Sequence, residues 1–391
     1  MTYYPPHHDP WAPPPPPPQP PRRRRRGPRA LLSALGLVVL VALGFVAWDL
    51  GRDSLPTGGT SAPLDRTLHN RQTSSSTLDV QAVTDKVAPG LVDVYSTLGY
   101  SGQQAAGTGM VLSADGKVLT NNHVVAGATS IKATDVDTGR TYRAEVLGYS
   151  RTRDVAVLQL QDASGLGTVT TGDSSPVAAG DPVVGLGNAG GDGGAPSVSP
   201  GKVTALNQSI TATDESSGSS EQLTGLIQVD ANIQSGDSGG ALADAQGRVI
   251  GMNTAASTGY QFGRPGREPA GVSGFAIPID DALTLTRQIE AGHASDTVHI
   301  GASAFLGVSV SDAGGPGALV QQVVPGGPAD DAGLVVGDVI TQLDGRAVGS
   351  ATDLTAVMDT LHPGNNVTLT WLDQAGQQHS ASTTLVEGPV G

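Results

Sequence analysis

Three side chains in this 391-residue chain are of types that can do chemistry on one another, and each sits in a telling local setting. Ser238 lies within Gly236-Asp237-Ser238-Gly239-Gly240. A serine hydroxyl is a poor nucleophile at neutral pH, so it needs a base to take its proton and a third group to orient that base. Glycine at 236 lets the loop curl, so that the backbone N–H groups of Gly236 and Ser238 can converge on a developing oxyanion. Two glycines followed by the strand-like Ala241-Leu242 are not ordinary turn grammar. His123 stands in Thr120-Asn121-Asn122-His123-Val124-Val125, at the end of a predicted strand, and Asp154 stands in Arg153-Asp154-Val155-Ala156-Val157-Leu158, just before one. Singly, each is a common surface or turn residue. As a set they read as nucleophile, base and orienting carboxylate, and separations of 31 and 84 residues leave room for strands on two barrels.

Composition narrows the chemistry further. The chain has no cysteine, which excludes disulfides, thiolate metal sites and a cysteine nucleophile and leaves oxygen and imidazole. Hydrolysis by such a set needs no metal and no organic cofactor. The net charge of −14 is uneven, because residues 1–29 carry +5 and residues 49–391 carry −19. An acidic, glycine-rich body lacks the basic footprint that nucleic-acid binding requires, so no nucleic-acid partner is expected. The glycines of 190–194 are no phosphate cradle, since no GK[ST] follows them.

The elements that must position these residues read as β. Between 87 and 278, short runs of Val, Ile, Leu and Thr alternate with turns such as Asp115-Gly116, Thr138-Gly139 and Gln246-Gly247. That spacing predicts an all-β barrel or sandwich. Residues 279–291 switch to a helical period with Ile279, Leu283, Leu285 and Ile289, acids at the start and Gly292 past the end. A linker over 293–300 then leads to a second domain. There Ser350, as N-cap, opens a helix running to Leu361, and Pro363-Gly364 stops it.

Upstream of the folded part the chain is of another kind. Eleven of its 27 prolines fall in the first 21 residues, which predicts a disordered, extended tail. Arginines 22–26 precede the uncharged stretch 30–48, whose 19 residues would reach roughly 28 Å as a helix, about one hydrocarbon core. A single transmembrane helix over 30–48 is expected, with membrane lipid as its partner, the arginines cytoplasmic and the rest outside. A cleaved signal peptide fits less well, because its apolar core is usually shorter. Residues 49–77 read as a flexible linker.

In these stretches the sequence resembles the HtrA/Deg serine proteases, a family with a trypsin-like domain and one or more PDZ domains. The matching residues are Gly107-Thr108-Gly109, 119–125, 153–160, 180–187, 228–242 and Gly274-Phe275-Ala276-Ile277-Pro278. The order His, Asp, Ser is that of the chymotrypsin-like triad. The resemblance implies a mainly β protein: a chymotrypsin-like double β-barrel protease domain over 78–292, then a PDZ domain over 300–387. It makes His123 the general base, Asp154 its orienting carboxylate, Ser238 the nucleophile, and the Gly236 and Ser238 amides the oxyanion hole. Asn232, six residues before Ser238, falls where such folds line the primary specificity pocket. Phe305-Leu306-Gly307-Val308 resembles the carboxylate-binding loop of PDZ domains, with C-terminal peptides as ligands added as a strand beside 306–310.

The family's usual Asn before the nucleophile is replaced by Asp237, its Asn-Arg or Asn-Ser by Gln234-Ser235, and Gly-Asn-Pro by Gly187-Asn188-Ala189. The resemblance also implies a homotrimer, for which no residue here is a marker. The expected function is a membrane-anchored, extracytoplasmic serine endopeptidase acting on misfolded or regulatory proteins. Two alternatives use the same sequence: a catalytically silent peptide-binding chaperone or scaffold, and a regulated signalling protease with one membrane substrate.

Overall fold

The computed structural model describes residues 78–99, 102–213, 220–254 and 274–391. The predicted tail, span and linker over 1–77, and the whole of the glycine-rich stretch 258–273, lie outside the described residues. Among the described residues no helix is long and apolar enough to cross a membrane.

A helix that the sequence reading did not anticipate opens the fold: α1 (Val80–Val87). Asp79 caps it by accepting the Ala82 N–H at 3.0 Å, and Val83 and Val87, four residues apart, are both buried. Pro89 follows its end.

Six strands then close a first barrel: β1 (Leu91–Leu98), β2 (Gln103–Ser113), β3 (Lys117–Thr120), β4 (Ser130–Asp135), β5 (Thr141–Ser150) and β6 (Val155–Leu160). They run β5-β4-β1-β2-β3-β6, and pairing of β5 with β6 closes the ring. Its interior is aliphatic, with Val92, Val94, Val118, Ala133 and Leu158 fully buried.

A second closed barrel follows from β7 (Pro182–Gly187), β8 (Ser197–Thr213), β9 (Ser220–Val229), β10 (Ala241–Asp244), β11 (Val249–Thr254) and β12 (Gly274–Pro278). The largest cluster of buried residues joins the two barrels and α1, through Val87, Leu91, Met110, Leu186 and Met252. Burial of this seam makes the barrels one packing unit and leaves their facing loops as a cleft.

The predicted closing helix is present as α3 (Ile279–Glu290), numbered after the one-turn α2 (Asn122–Val125). Its buried stripe is Ile279, Ala282, Thr286 and Ile289, while Leu283 and Leu285 sit at its edges. The expected linker ends as a strand, because β13 (His299–Ile300) pairs with Tyr149 and Gly148 of β5.

The C-terminal part is a separate small sheet with its own core. β15 (Val308–Asp312), β16 (Ala318–Val323), β17 (Val339–Leu343), β19 (Asn366–Leu372) and β20 (Gln378–Thr384) lie in that order, with β18 (Arg346–Ala347) beside β17. A short pair, β14 (Ala304–Phe305) with β21 (Val386–Glu387), joins its ends. Two helices, α4 (Pro328–Ala332) and α5 (Ala351–Met358), pack on the sheet. Ser350 caps α5 by accepting the Asp353 N–H at 3.0 Å, at the predicted position, but the helix stops at Met358 and not at Leu361.

Candidate active site

β3 delivers the chain into the cleft and ends at Thr120. His123 is not at the strand's end, as the sequence reading had it, but on α2, the single turn that follows. Val124 and Val125 of that turn are buried in the first barrel, which leaves the imidazole facing the cleft with its side chain 45% exposed.

Asp154 heads β6 in an unusual conformation, with φ of 52°. A non-glycine residue there needs compensation. It is held by its own N–H, which donates to the Arg151 carbonyl at 3.0 Å, and by its carbonyl, which accepts from Asn121 Nδ2 at 2.9 Å. The carboxylate is 5% exposed. Its oxygens lie 3.0 and 2.9 Å from His123 Nδ1, and Oδ1 also accepts the His123 backbone N–H at 3.0 Å. Thr254, the last residue of β11, donates its hydroxyl to Oδ2 at 3.1 Å. Three contacts from two barrels therefore fix the carboxylate, and the carboxylate fixes the ring with Nδ1 as its donor and Nε2 turned away from it.

Ser238 is buried, on the second barrel just ahead of β10. Its loop is stitched to the first barrel by Thr108 of β2. The Thr108 N–H donates to the Ser238 carbonyl at 2.8 Å, and its hydroxyl donates to the Gly236 carbonyl at 2.8 Å and accepts the Asn188 N–H at 2.9 Å. Gly107 is squeezed between the two catalytic candidates' segments: a Cβ there would lie 2.6 Å from the Val124 side chain and 3.2 Å from the Ser238 carbonyl. Gly239 is equally confined, since a Cβ would approach the Thr108 carbonyl to 2.1 Å. The glycines of the pentapeptide thus let two barrels touch through backbone.

The Ser235–Gly236 peptide is oriented from outside. Gly190 donates its N–H to the Ser235 carbonyl at 2.8 Å, and because a trans peptide directs N–H and C=O oppositely, the Gly236 N–H points away from Gly190. The glycine-rich stretch 190–194, which the sequence reading left without a role, lies against this loop.

Asn232 is exposed, and its carbonyl accepts the Ser199 hydroxyl at 3.0 Å. The neighbouring Ile233 fills the space beside it: a Cβ on Gly185 or Gly274 would meet its side chain at 2.3 or 2.4 Å. The sequence reading did not mark Ile233, Thr254, Asn121 or Thr108. Absent side chains at Gly185 and Gly274, both inside strands, were the available signal for the first.

In the C-terminal sheet, Phe305, Leu306, Gly307 and Val308 run from β14 into β15, the exposed edge strand, with Gly307 at φ of 84°. They line a cleft of about 170 Å³ together with Val310, Leu354 and Met358. Leu354 and Val357 of α5 belong to the core, and Leu354 also reaches the cleft wall. Tyr149 and Arg151 of the first barrel line the same cleft, and Arg151 grips Asp359 with two bonds of 3.1 Å. Among the described residues, no cluster of His, Asp or Glu of metal-binding form occurs.

Two joined barrels with an imidazole, a buried carboxylate and a serine at their seam, followed by a sheet with an open edge against a helix, define a trypsin-like peptidase carrying a PDZ domain. Residues 107–252 match the model of the trypsin-like peptidase domain, and residues 304–383 match that of the PDZ domain. Serine protease PepD of Mycobacterium tuberculosis is 33% identical over 378 residues, 92% of this chain and 78% of that one. Periplasmic serine endoprotease DegP of Escherichia coli is 35% identical over 277 residues, 68% of this chain, which spans 54% of DegP's length. Among solved structures, the HtrA-type protease AlgW with a tripeptide is 30% identical, covering 79% of this chain and 97% of that one at a TM-score of 0.45. The chain belongs to the HtrA/Deg family of serine proteases.

Proposed function

We propose that this protein is an extracytoplasmic, membrane-anchored serine endopeptidase in which Ser238 attacks the scissile carbonyl, His123 takes its proton and Asp154 holds the imidazole. The observation that carries this reading is the buried Asp154 carboxylate clamped on His123 Nδ1 at 2.9 Å, on the segment that faces the Ser238 loop.

Attack forms the Ser238 Oγ–carbon bond and moves the hydroxyl proton to His123 Nε2. The imidazolium is stabilised by the Asp154 side chain, which accepts from Nδ1. Negative charge on the substrate oxygen is met by the Gly236 and Ser238 N–H groups. Collapse breaks the C–N bond as His123 returns the proton to the leaving amine. Water then repeats the sequence on the acyl-enzyme and frees Ser238. The protease domain spans 78–292, and Asn232 and Ile233 border the primary specificity pocket, with Ile233 favouring a small apolar residue there.

The PDZ domain, over 300–387, captures C-terminal peptides as a strand on the β15 edge, their carboxylate on the N–H groups of the Phe305-Leu306-Gly307-Val308 loop. The arginines and apolar run of 22–48 anchor the chain, and its substrates are exposed ends of misfolded or regulatory proteins.

The test is casein hydrolysis by the full chain in detergent beside Ser238→Ala, with and without a hydrophobic C-terminal peptide. Loss of activity by about 10⁶-fold in the variant, and stimulation of the wild type by peptide, are the expected results. Hydrolysis that survives Ser238→Ala would overturn the assignment. Failure of a fluorophosphonate to label Ser238 would favour the silent binding protein.

A further inference from the structure

Asp237, the residue before the proposed nucleophile, is a buried carboxylate that the triad chemistry does not use. It is 2% exposed, and nothing among its described neighbours is a cation. Every group it faces is a donor. Oδ1 accepts the Ser197 hydroxyl at 2.5 Å, and Oδ2 accepts the Gln234 N–H at 2.9 Å. Ser197, the first residue of β8, in turn accepts the Ala189 N–H at 3.3 Å. A Cβ on Gly187 would lie 2.7 Å from Oδ1, so β7 has been kept bare to admit this side chain.

Those contacts close a turn. The Asp237 N–H donates to the Gln234 carbonyl at 3.0 Å while its side chain accepts from the Gln234 N–H, so residues 234 and 237 are tied in both directions. Gly236, third in the turn, has φ of 94°, whereas Ser235 is not among the positive-φ residues. Negative then positive φ across the two corner positions is the type II form. The alternative type I turn needs φ near −90° at the third position and turns the central peptide over by roughly 150–180°. Its central peptide is Ser235–Gly236, so turn type decides where the Gly236 N–H points.

We infer that Asp237 is a positioning residue: its carboxylate holds the 234–237 turn in the type II form and so aims the Gly236 N–H at the substrate oxygen. Two clamps act on the same peptide. Gly190 holds the Ser235 carbonyl, and Asp237, through Ser197 and Ala189, holds the start of the loop that carries Gly190. A carboxylate suits the role because it is acceptor-only and faces only donors. Burial nevertheless pushes its pKa above the usual range, against the lowering by Ser197, Gln234 and Ala189. Ionising this carboxyl in the fold is therefore costly, while the contacts that define the turn are set by geometry. This inference rests on the oxyanion reading of Gly236.

The experiment uses the full chain and a chromogenic peptide, with active sites counted by fluorophosphonate labelling to completion, in Asp237→Ala, Asp237→Asn, Ser197→Ala and Ser238→Ala. Outright loss of an oxyanion donor costs about 10²–10³ in kcat. Asp237→Ala is expected to lower kcat per labelled site by about 10- to 100-fold, below that limit, with KM within about twofold. Asp237→Asn, which keeps an acceptor for Gln234, recovers part of the loss, and Ser197→Ala gives a smaller fall in kcat of the same kind. Unchanged kcat per labelled site in Asp237→Ala, or a loss carried by KM, would overturn the inference. If Asp237→Ala does not fold, Ser197→Ala decides in the same way. Activity surviving Ser238→Ala would sink the nucleophile assignment instead, a result distinct from any Asp237 outcome.

Discussion

Gly236 is the position where backbone geometry and proposed chemistry are hardest to separate. Any side chain there is strained by a φ of 94° and would meet the Asn188 carbonyl at 2.1 Å. Gly236→Ala must therefore abandon the type II turn, and kcat is expected to fall by about 10²–10³, the cost of one oxyanion donor, while fluorophosphonate labelling slows in parallel. Equal kcat in the variant would show that this amide does not face the substrate. Asp154→Asn is expected to keep the fold but cost about 10⁴ in kcat, because an amide allows the wrong imidazole tautomer. His123, Asp154 and Ser238 stand out as candidates in the sequence because each lies in a short run whose local grammar is informative. Thr254 and Thr108 could not, since one hydroxyl reaches Asp154 and the other Gly236 only through the register of strands far apart in sequence. Nor does any local pattern announce the positive φ of Asp154.

Periodicity exposed α3 and the N-cap of α5, and missed α1, which is eight residues long with only two buried positions. Such a helix owes its existence to the seam it covers and not to propensity. The placement of His123 on a one-turn helix was likewise invisible, because four residues give no period. The four-residue connection 151–154 between β5 and β6 reaches both domains. Arg151 grips Asp359, at the end of α5, while its own carbonyl accepts the N–H of Asp154. One four-residue turn thus links the PDZ cleft wall to the carboxylate that orients His123. His299 adds to the junction, its ring nitrogens 2.7 and 3.0 Å from the carbonyls of Asp359 and Ala302 and its ring stacked on Tyr149. Residues 388–391 return to the first barrel, where Val390 exchanges bonds with Gly127 and Ala128, just past α2. Asp359→Ala should cost about 1–2 kcal/mol, between exposed and fully buried pairs, and speed amide exchange at 127–128 and 388–391. Unchanged exchange there would show that the ion pair does not hold the two parts together. Ser350→Ala, by contrast, should cost about 1 kcal/mol confined to the PDZ sheet, visible as lost protection in α5 alone.

Two carboxylates whose pKa is raised by burial give the whole fold a pH signature. Asp93, in the middle of β1, is 3% exposed, and burial raises its pKa above the usual carboxylate range despite the Gly194 N–H it accepts at 3.2 Å. Asp237 is raised for the same reason. Between the ordinary value of 3.8 and the raised one, the folded chain holds a proton that the unfolded chain has lost. More protons bound in the native state means stability that falls as pH rises. The contribution is fully present below 3.8 and is lost as pH climbs through the folded-state value. Asp93→Asn keeps an acceptor for Gly194 without a charge to bury, so the variant should be the more stable form at pH 7–8. Its advantage should shrink towards pH 3, where the wild-type carboxyl is neutral as well. The remaining carboxylates titrate alike in both proteins, so the difference between two urea-unfolding series, taken at half-unit pH steps, isolates Asp93. A difference that stays flat with pH would mean that Asp93 is compensated in the fold by a charge its described surroundings do not contain. A difference of opposite sign would mean that the Gly194 bond, and not burial, governs its ionisation.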